Sequence, residues 1–463
     1  MAAGDAKRLR VCAPCALLPE GWADDVVIEI EAGHIVSVAS GAPDAGAERL
    51  AGPVLPGIAN LHSHAFQRAM AGLAETSGPE GDSFWSWREL MYRFLERLTP
   101  DHVEAIAAWL YVEMLEAGYT SVAEFHYLHH DVTGRPYADP AEMSLRIAAA
   151  AEAAGIGLTL LPVLYTYGSF SRTPPTPGQR RFLHDTDAYV RLCQSLAGTL
   201  AGRPLQRLGI APHSLRAVDR AQLRTLVALA TEFGPNTPIH MHIAEQAKEV
   251  NDSVAATGRT PLRWLADEIG INERWCLIHA THMTGDEVAT LAHSGAVAGL
   301  CPSTEGDLGD GFFEGVRFFQ AGGQFGIGGD SHALVDPFME LRLFEYGQRL
   351  VHQRRNLLAS VPGESLGARL VRGALAGGAQ ALGQPIGALA AGRRADLIVL
   401  DATSAGLFGR KGDQLLDAAV FAPAARPVRD VMVAGRWEVR EGRHHARAPL
   451  LERYRATLGA LLQ

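Results

Sequence analysis

Residues 54–68 read VLPGIANLHSHAFQR. An apolar run leads directly into two histidines, His62 and His64, set two residues apart. On an extended strand alternate side chains share a face, so this spacing puts two imidazoles side by side where the strand ends. The fold then turns on whether the rest of the chain repeats this unit: an apolar strand ending in chemistry-bearing side chains.

It does, seven more times. The runs YTSVAEFHY, GLTLLPVLY, RLGIAPHS, TPIHMHIAE, WCLIHATH, AVAGLCPST and QFGIGGDSH follow in order, with helical patterns between them. The helix after residue 99 shows the punctuation. Thr99 can cap it, Pro100 suits its first turn, Ile106, Leu110, Met114 and Ala117 form one stripe, and Gly118 can end it. Apolar strands separated by helices read as parallel βα units, and eight of them between residues 54 and 335 read as an α/β fold, a (β/α)8 TIM barrel. The chain ends differ from this middle. VVIEIEAGHIVSVAS (26–40) reads as a hairpin turning at Ala32-Gly33, and RADLIVLDA (394–402) and VRDVMVAGRWEVREGRH (428–444) read as further strands with a turn at Gly435.

Most of the eight runs end in reactive residues: His62 and His64, His126, Tyr165, His213, His242 with Glu245, His279, and Asp330. Barrels of this type carry their active sites at the C-terminal ends of the strands. One His-x-His alone is more often a hydrogen-bonded surface or core pair than a ligand pair. The joint pattern on strands one, five, six and eight overturns that reading. Imidazoles from His62, His64 and His242 with the carboxylate of Asp330 suit a borderline divalent ion such as zinc and leave room for water.

Composition narrows the class. The 463 residues are 47% hydrophobic and 20% charged, with a formal net charge of −9, which fits a soluble globular protein and excludes a basic nucleic-acid footprint. No apolar run approaches a membrane span, and the N-terminal stretch lacks a signal-peptide core, so it reads as mature sequence. Five cysteines, Cys12, Cys15, Cys193, Cys276 and Cys301, are too few and odd in number for a disulfide framework. They point to a reducing, cytoplasmic setting. The Cys12/Cys15 pair has no second pair to make a metal or redox site.

These motifs carry a resemblance. The chain resembles the amidohydrolase superfamily, in particular its branch of deaminases with one metal. NLHSH matches the first-strand ligands, and HMHIAE the fifth-strand signature in which the ligand stands three residues before a catalytic Glu. That implies His242 rather than His240, with Glu245 catalytic. LIHATH implies His279 rather than His282, and GIGGDSH supplies Asp330. GRRADLIVLD resembles the strand that opens the C-terminal β-sandwich of these enzymes. The implied organisation is 1–55 and 379–463 as the two parts of a small sandwich, with the barrel at 56–378. The fourth-strand run RLGIAPHS has no lysine of the two-metal kind, so one divalent ion is expected, zinc or alternatively Fe2+. Asp330 would bind it and take a proton from water, Glu245 would carry a proton to a leaving nitrogen, and His279 would polarise the group under attack. The family also implies a homodimer.

The segments HSHAFQRAMAGLAE, SFWSWRELMY, EFHYLHH, APHSLRAV and CPSTEGDLGDGFF resemble one group within that branch, the formimidoylglutamate deiminases of bacterial histidine breakdown. That resemblance implies hydrolysis of the linear amidine N-formimidoyl-L-glutamate to N-formyl-L-glutamate and ammonia. The substrate has two carboxylates, and Arg88 and Arg216 could each meet one with a planar fork. The resemblance adds Gln67, Tyr127 and His213 as polar contacts. Residues 83–94, rich in aromatics, read as a loop that could serve as a lid. Two rival readings are a deaminase of a purine or related heterocycle on the same scaffold, and a silent barrel serving as an assembly subunit. The second conflicts with retention of the full ligand set.

Overall fold

A computed structural model describes residues 8–41, 46–77, 82–423 and 426–463. Residues 1–7, the start of the stretch read as mature sequence, lie outside the described residues. Eight parallel strands form the barrel: β1 (Ile58–Ser63), β2 (Tyr119–His126), β3 (Gly157–Leu164), β4 (Gln206–Leu208, resuming at Ala211–Pro212), β5 (Ile239–Ile243), β6 (Trp275–His279), β7 (Val297–Leu300) and β8 (Gln324–Ile327). They form two ladders, β1 to β4 and β5 to β8. Parallel bridges between Ile210 and Ile239 and between Ser63 and Asp330 join the ladders into a ring. At the second seam His64 N donates to Asp330 O and Asp330 N to His62 O, each at 3.0 Å. The barrel therefore closes at the residues that the sequence reading offers as candidate ligands. Gly328 permits this approach, since a Cβ there would stand 2.8 Å from that of His62.

Strands β2 and β3 are buried at every position, as strands between helices and barrel interior must be; β3 is nearly all apolar, whereas β2 also buries Thr120, Ser121, Glu124 and His126. The helix Pro100–Ala117 forms as the sequence predicts. Thr99 caps it and Gly118, at φ 107°, ends it. It is buried well beyond one stripe, because the helix Glu142–Ala154 and the C-terminal helix Arg447–Leu461 both pack on it. On the C-terminal helix Tyr454 stacks on Trp109 with ring centroids 6.0 Å apart, and Arg453 donates to Glu104 at 2.9 Å.

The chain ends build one nine-stranded sheet. One of its hairpins, Gly21–Glu31 with His34–Ala39, turns through Ala32 and Gly33, both at positive φ, and a later one turns through Ala434 and Gly435. The N- and C-terminal portions meet where Val54–Pro56 pairs antiparallel with Leu397–Leu400. This sheet has a core of its own, including Val11, Ile28, Ile30, Val54, Leu397 and Met432. The helix Leu366–Leu382 runs through position 378 and packs on the barrel. A Cβ on its Gly377 would fall 1.9 Å from the Phe325 carbonyl.

One sequence expectation is corrected. Residues 83–94 are not a loop: Phe84–Leu95 is a helix. Ser83 caps it, accepting from Trp85 N at 3.3 Å, while its own N–H donates to Ser86 Oγ at 2.9 Å. Phe84, Met91 and Leu95 bury one helical face, a 3.6-residue period that the run of aromatics obscures in the sequence. All five cysteines are free, and among the described residues no helix is long and apolar enough to cross a membrane.

Candidate active site

The strand ends converge. His62 Nε2 lies 3.2 Å from His64 Nε2 and 3.0 Å from His242 Nε2. Asp330 Oδ1 stands 3.5 Å and 3.2 Å from the first two. All four side chains are buried. His64 Nδ1 donates to the Phe125 carbonyl at 2.8 Å and His242 Nδ1 to that of His213 at 3.2 Å. Those bonds keep the ring proton on Nδ1 and leave Nε2 as a bare lone pair. Lone pairs facing one another at such distances repel unless a cation lies among them, and His62 Nδ1 finds no partner among the described residues. Burial keeps the rings neutral, lowering His62 to about 3 and His242 well below the ordinary imidazole value. Burial alone would raise Asp330, but the surrounding imidazoles hold it well below the usual carboxylate range. Three neutral nitrogens and one carboxylate fit a single borderline divalent ion. His240, two residues before His242, is turned away and pairs with the Ala381 carbonyl at 2.7 Å.

The backbone here is strained. Ala244, His279, Ala280, Asp330 and His332, none of them glycine, all have positive φ, between 48° and 69°. Each such residue costs on the order of 1–3 kcal/mol, and such strain clusters at functional sites. It aims two further groups at the cluster. Glu245 Oε1 lies 3.8 Å from His279 Nε2, which is itself 3.7 Å from Asp330 Oδ2. Burial pushes Glu245 up, against the pull of His279 and Arg216. Burial would lower His279, but the carboxylates of Glu245, Glu305 and Asp330 around it raise it to about 10.

A pocket opens above these groups, and it contains every residue expected to contact substrate. Gln67 Nε2 donates to Tyr127 Oη at 2.7 Å, and His213 pairs with Ser214 Oγ at 3.0 Å. Arg88 stacks on Trp85, 4.5 Å from guanidinium to ring centre, while still lining the pocket. Arg216 lies 3.7 Å from Glu245 Oε2 and 4.0 Å from Glu249 Oε2. His126 does not join them; its ring is buried edge-to-face against His129, with centroids 5.8 Å apart. Two carboxylates escaped the sequence reading. Glu305 meets His279 Nδ1 at 3.3 Å, and Glu249, four residues after Glu245, accepts its backbone N–H at 3.1 Å. The spacing of Glu249 was visible in the sequence, but the face it occupies was not.

Comparison with known proteins fits this geometry. Residues 54–437 match the model of the amidohydrolase family, and residues 10–52 match that of the formimidoylglutamate deiminase HutF N-terminal domain. Over 448 residues, 96% of this chain and 98% of the relative, the sequence is 55% identical to formimidoylglutamate deiminase of Pseudomonas aeruginosa. This chain is an amidohydrolase of the formimidoylglutamate deiminase family. The amidohydrolase fold recurs in a crystal structure of an amidohydrolase from Brucella melitensis, 48% identical, with a TM-score of 0.93 over 98% of this chain and 100% of that one. At 23% identity, an adenosine deaminase from Xanthomonas campestris, crystallised with bound zinc, shares the fold with a TM-score of 0.81 over 98% of each chain.

Proposed function

We propose that this amidohydrolase hydrolyses N-formimidoyl-L-glutamate to N-formyl-L-glutamate and ammonia, a step of histidine degradation. One observation carries the reading beyond the family: two arginines, Arg88 and Arg216, line the same pocket as Glu245, His279 and the histidine cluster. A substrate with a carboxylate at each end and a reactive amidine needs that pairing. His62, His64, His242 and Asp330 would hold one divalent ion. Zinc is favoured by the nitrogen-rich donor set and by the zinc-bound Xanthomonas structure. Such an ion supplies a water whose pKa falls from about 15.7 to about 7, and hence a nucleophile at neutral pH.

The chain's own groups do the rest. Arg216 and Arg88 bind the two carboxylates, and Gln67, Tyr127 and His213 orient the chain between them. Asp330 Oδ2 takes a proton as water adds to the amidine carbon. His279 Nε2 steadies the charge that develops there. Glu245, a buried carboxylate with a raised proton affinity, delivers a proton to the departing nitrogen, so that the C–N bond breaks with ammonia as leaving group. The proposal extends to a cytoplasmic homodimer, as the family resemblance implies; sedimentation of the purified protein tests the dimer. The deciding experiment measures ammonia release from N-formimidoyl-L-glutamate, adenosine, guanine and cytosine. Turnover confined to the first supports the proposal, and preference for a heterocycle refutes it.

A further inference from the structure

The middle residue of His62-Ser63-His64 has no role in the chemistry above, yet it is fully buried and bonded on two sides. Ser63 Oγ donates to Glu124 Oε2 at 2.5 Å and receives His332 Nε2 at 2.8 Å. Glu124, on β2, is fully buried as well. It accepts two more bonds, from Ala65 N at 2.7 Å and Tyr111 Oη at 3.1 Å. A carboxylate in a barrel wall is costly unless its oxygens are satisfied, and a core built only for packing would not carry one. The strand it braces is irregular. The β1–β2 register slips twice, between Ile58 and Ala59 and again between Asn60 and Ser63, so ladder pairing alone does not set the direction of the residues that follow. Glu124 stands directly opposite Ser63 in that register. It grips the hydroxyl between the two histidines and the amide just beyond them. Through Ser63 the same chain reaches His332, two residues after Asp330 on the other side of the seam.

We propose that Glu124 is a positioning residue for the cation site, acting through Ser63 and His332 to hold the His62–His64 turn and the Asp330 turn in the geometry that ligates one divalent ion. This rests on the cation-site reading above. Outer-shell partners of this kind typically change metal affinity by about 10–100-fold when removed.

The test is zinc affinity of the purified full-length protein, measured by competition with a chromophoric chelator, together with the visible spectrum of the cobalt-loaded form. Glu124→Gln and Ser63→Ala are expected to fold, to bind zinc about 10–100-fold more weakly than wild type, and to shift the cobalt bands. Tyr111→Phe removes a donor to Glu124 that does not touch the histidine turn, and it should stay within about threefold of wild type. Wild-type affinity and an unchanged cobalt spectrum in Ser63→Ala and Glu124→Gln overturn the proposal. So does a loss in Tyr111→Phe as large as in Ser63→Ala, which would mark general loosening. If Glu124→Gln fails to fold, Ser63→Ala decides. A wild-type protein that binds no zinc or cobalt overturns the cation-site reading itself, an outcome distinct from tight binding unaffected by the variants.

Discussion

Arg216 is the most informative residue to remove, because its surroundings give it two jobs. It is buried and faces Glu245 at 3.7 Å and Glu249 at 4.0 Å, both themselves buried. At an effective dielectric of about 20 each contact represents about 4 kcal/mol of attraction. Arg216→Met leaves two buried carboxylates without their cation, and breaking such a pair costs about 3–5 kcal/mol. The chain has 463 residues, so its unfolding entropy near 60 °C is about 1 kcal/mol per kelvin and the melting temperature should fall by about 3–5 °C. The sign with pH follows from Glu245, whose proton affinity is already raised and climbs further without the guanidinium. The folded state then holds more protons than the unfolded one above the ordinary carboxylate range, so stability declines as pH rises. The deficit is therefore larger at pH 8 than at pH 5.5. Adding Glu249→Gln removes one uncompensated charge and should return about 1–3 °C, a coupling typical of groups in contact. If Arg216 clamps a substrate carboxylate as proposed, the substrate also loses a charge-assisted hydrogen bond worth about 1.5–3 kcal/mol, and KM should rise about 10–150-fold. Calorimetry at the two pH values and steady-state ammonia release supply the readouts. If Arg216→Met melts within a degree of wild type at pH 8, the guanidinium does not brace those carboxylates.

Glu245→Gln should fold and keep its metal while kcat drops about 10²–10⁴-fold, the usual worth of a positioned acid–base group; a metal assay beside ammonia release checks it, and unchanged turnover removes the proton-delivery role. Stripping the protein with a chelator should abolish turnover and lower the melting temperature, since a ligand that binds only the folded state stabilises it, and added zinc should restore both. His126, lowered to about 3 by burial, stays neutral in the fold while the unfolded chain protonates near 6.5, so it costs stability progressively as pH falls below 6.5. His126→Leu should be close to neutral at pH 7.5 and should make the pH dependence shallower by up to about 1.4 kcal/mol per unit between pH 6.5 and 4.5, read from urea midpoints. A large loss at pH 7.5 would mean that its nitrogens are held.

The sequence carried the fold a long way. Period-2 and period-3.6 patterns, Thr99, Pro100 and Gly118 as helix punctuation, and the two hairpin turns are local properties, and local geometry reproduces them. The candidate ligands were brought together for the same reason. In a parallel barrel every strand ends at one mouth, so a reactive residue at a strand end needs no further information to be placed near the others. His126 shows where that inference stops: it ends β2 yet stays out of the pocket. The helix at 84–95 marks another limit, because the aromatics Phe84, Trp85 and Trp87 break up the pattern of the buried face that Phe84, Met91 and Leu95 share.

By itself, then, the chain determined its eight-strand order, the mouth at which the strands end, and the donors available there, because each is written in spacing along a few neighbouring residues. Only the tertiary structure decided that Arg216 would sit between Glu245 and Glu249, that Glu305 would back His279, and that Glu124 would grip Ser63 across an irregular register. Those pairings join residues far apart along the chain or set by the face a helix presents. They depend on strand slips and helix rotations of a few ångströms, and buried polar groups choose their partners at that scale.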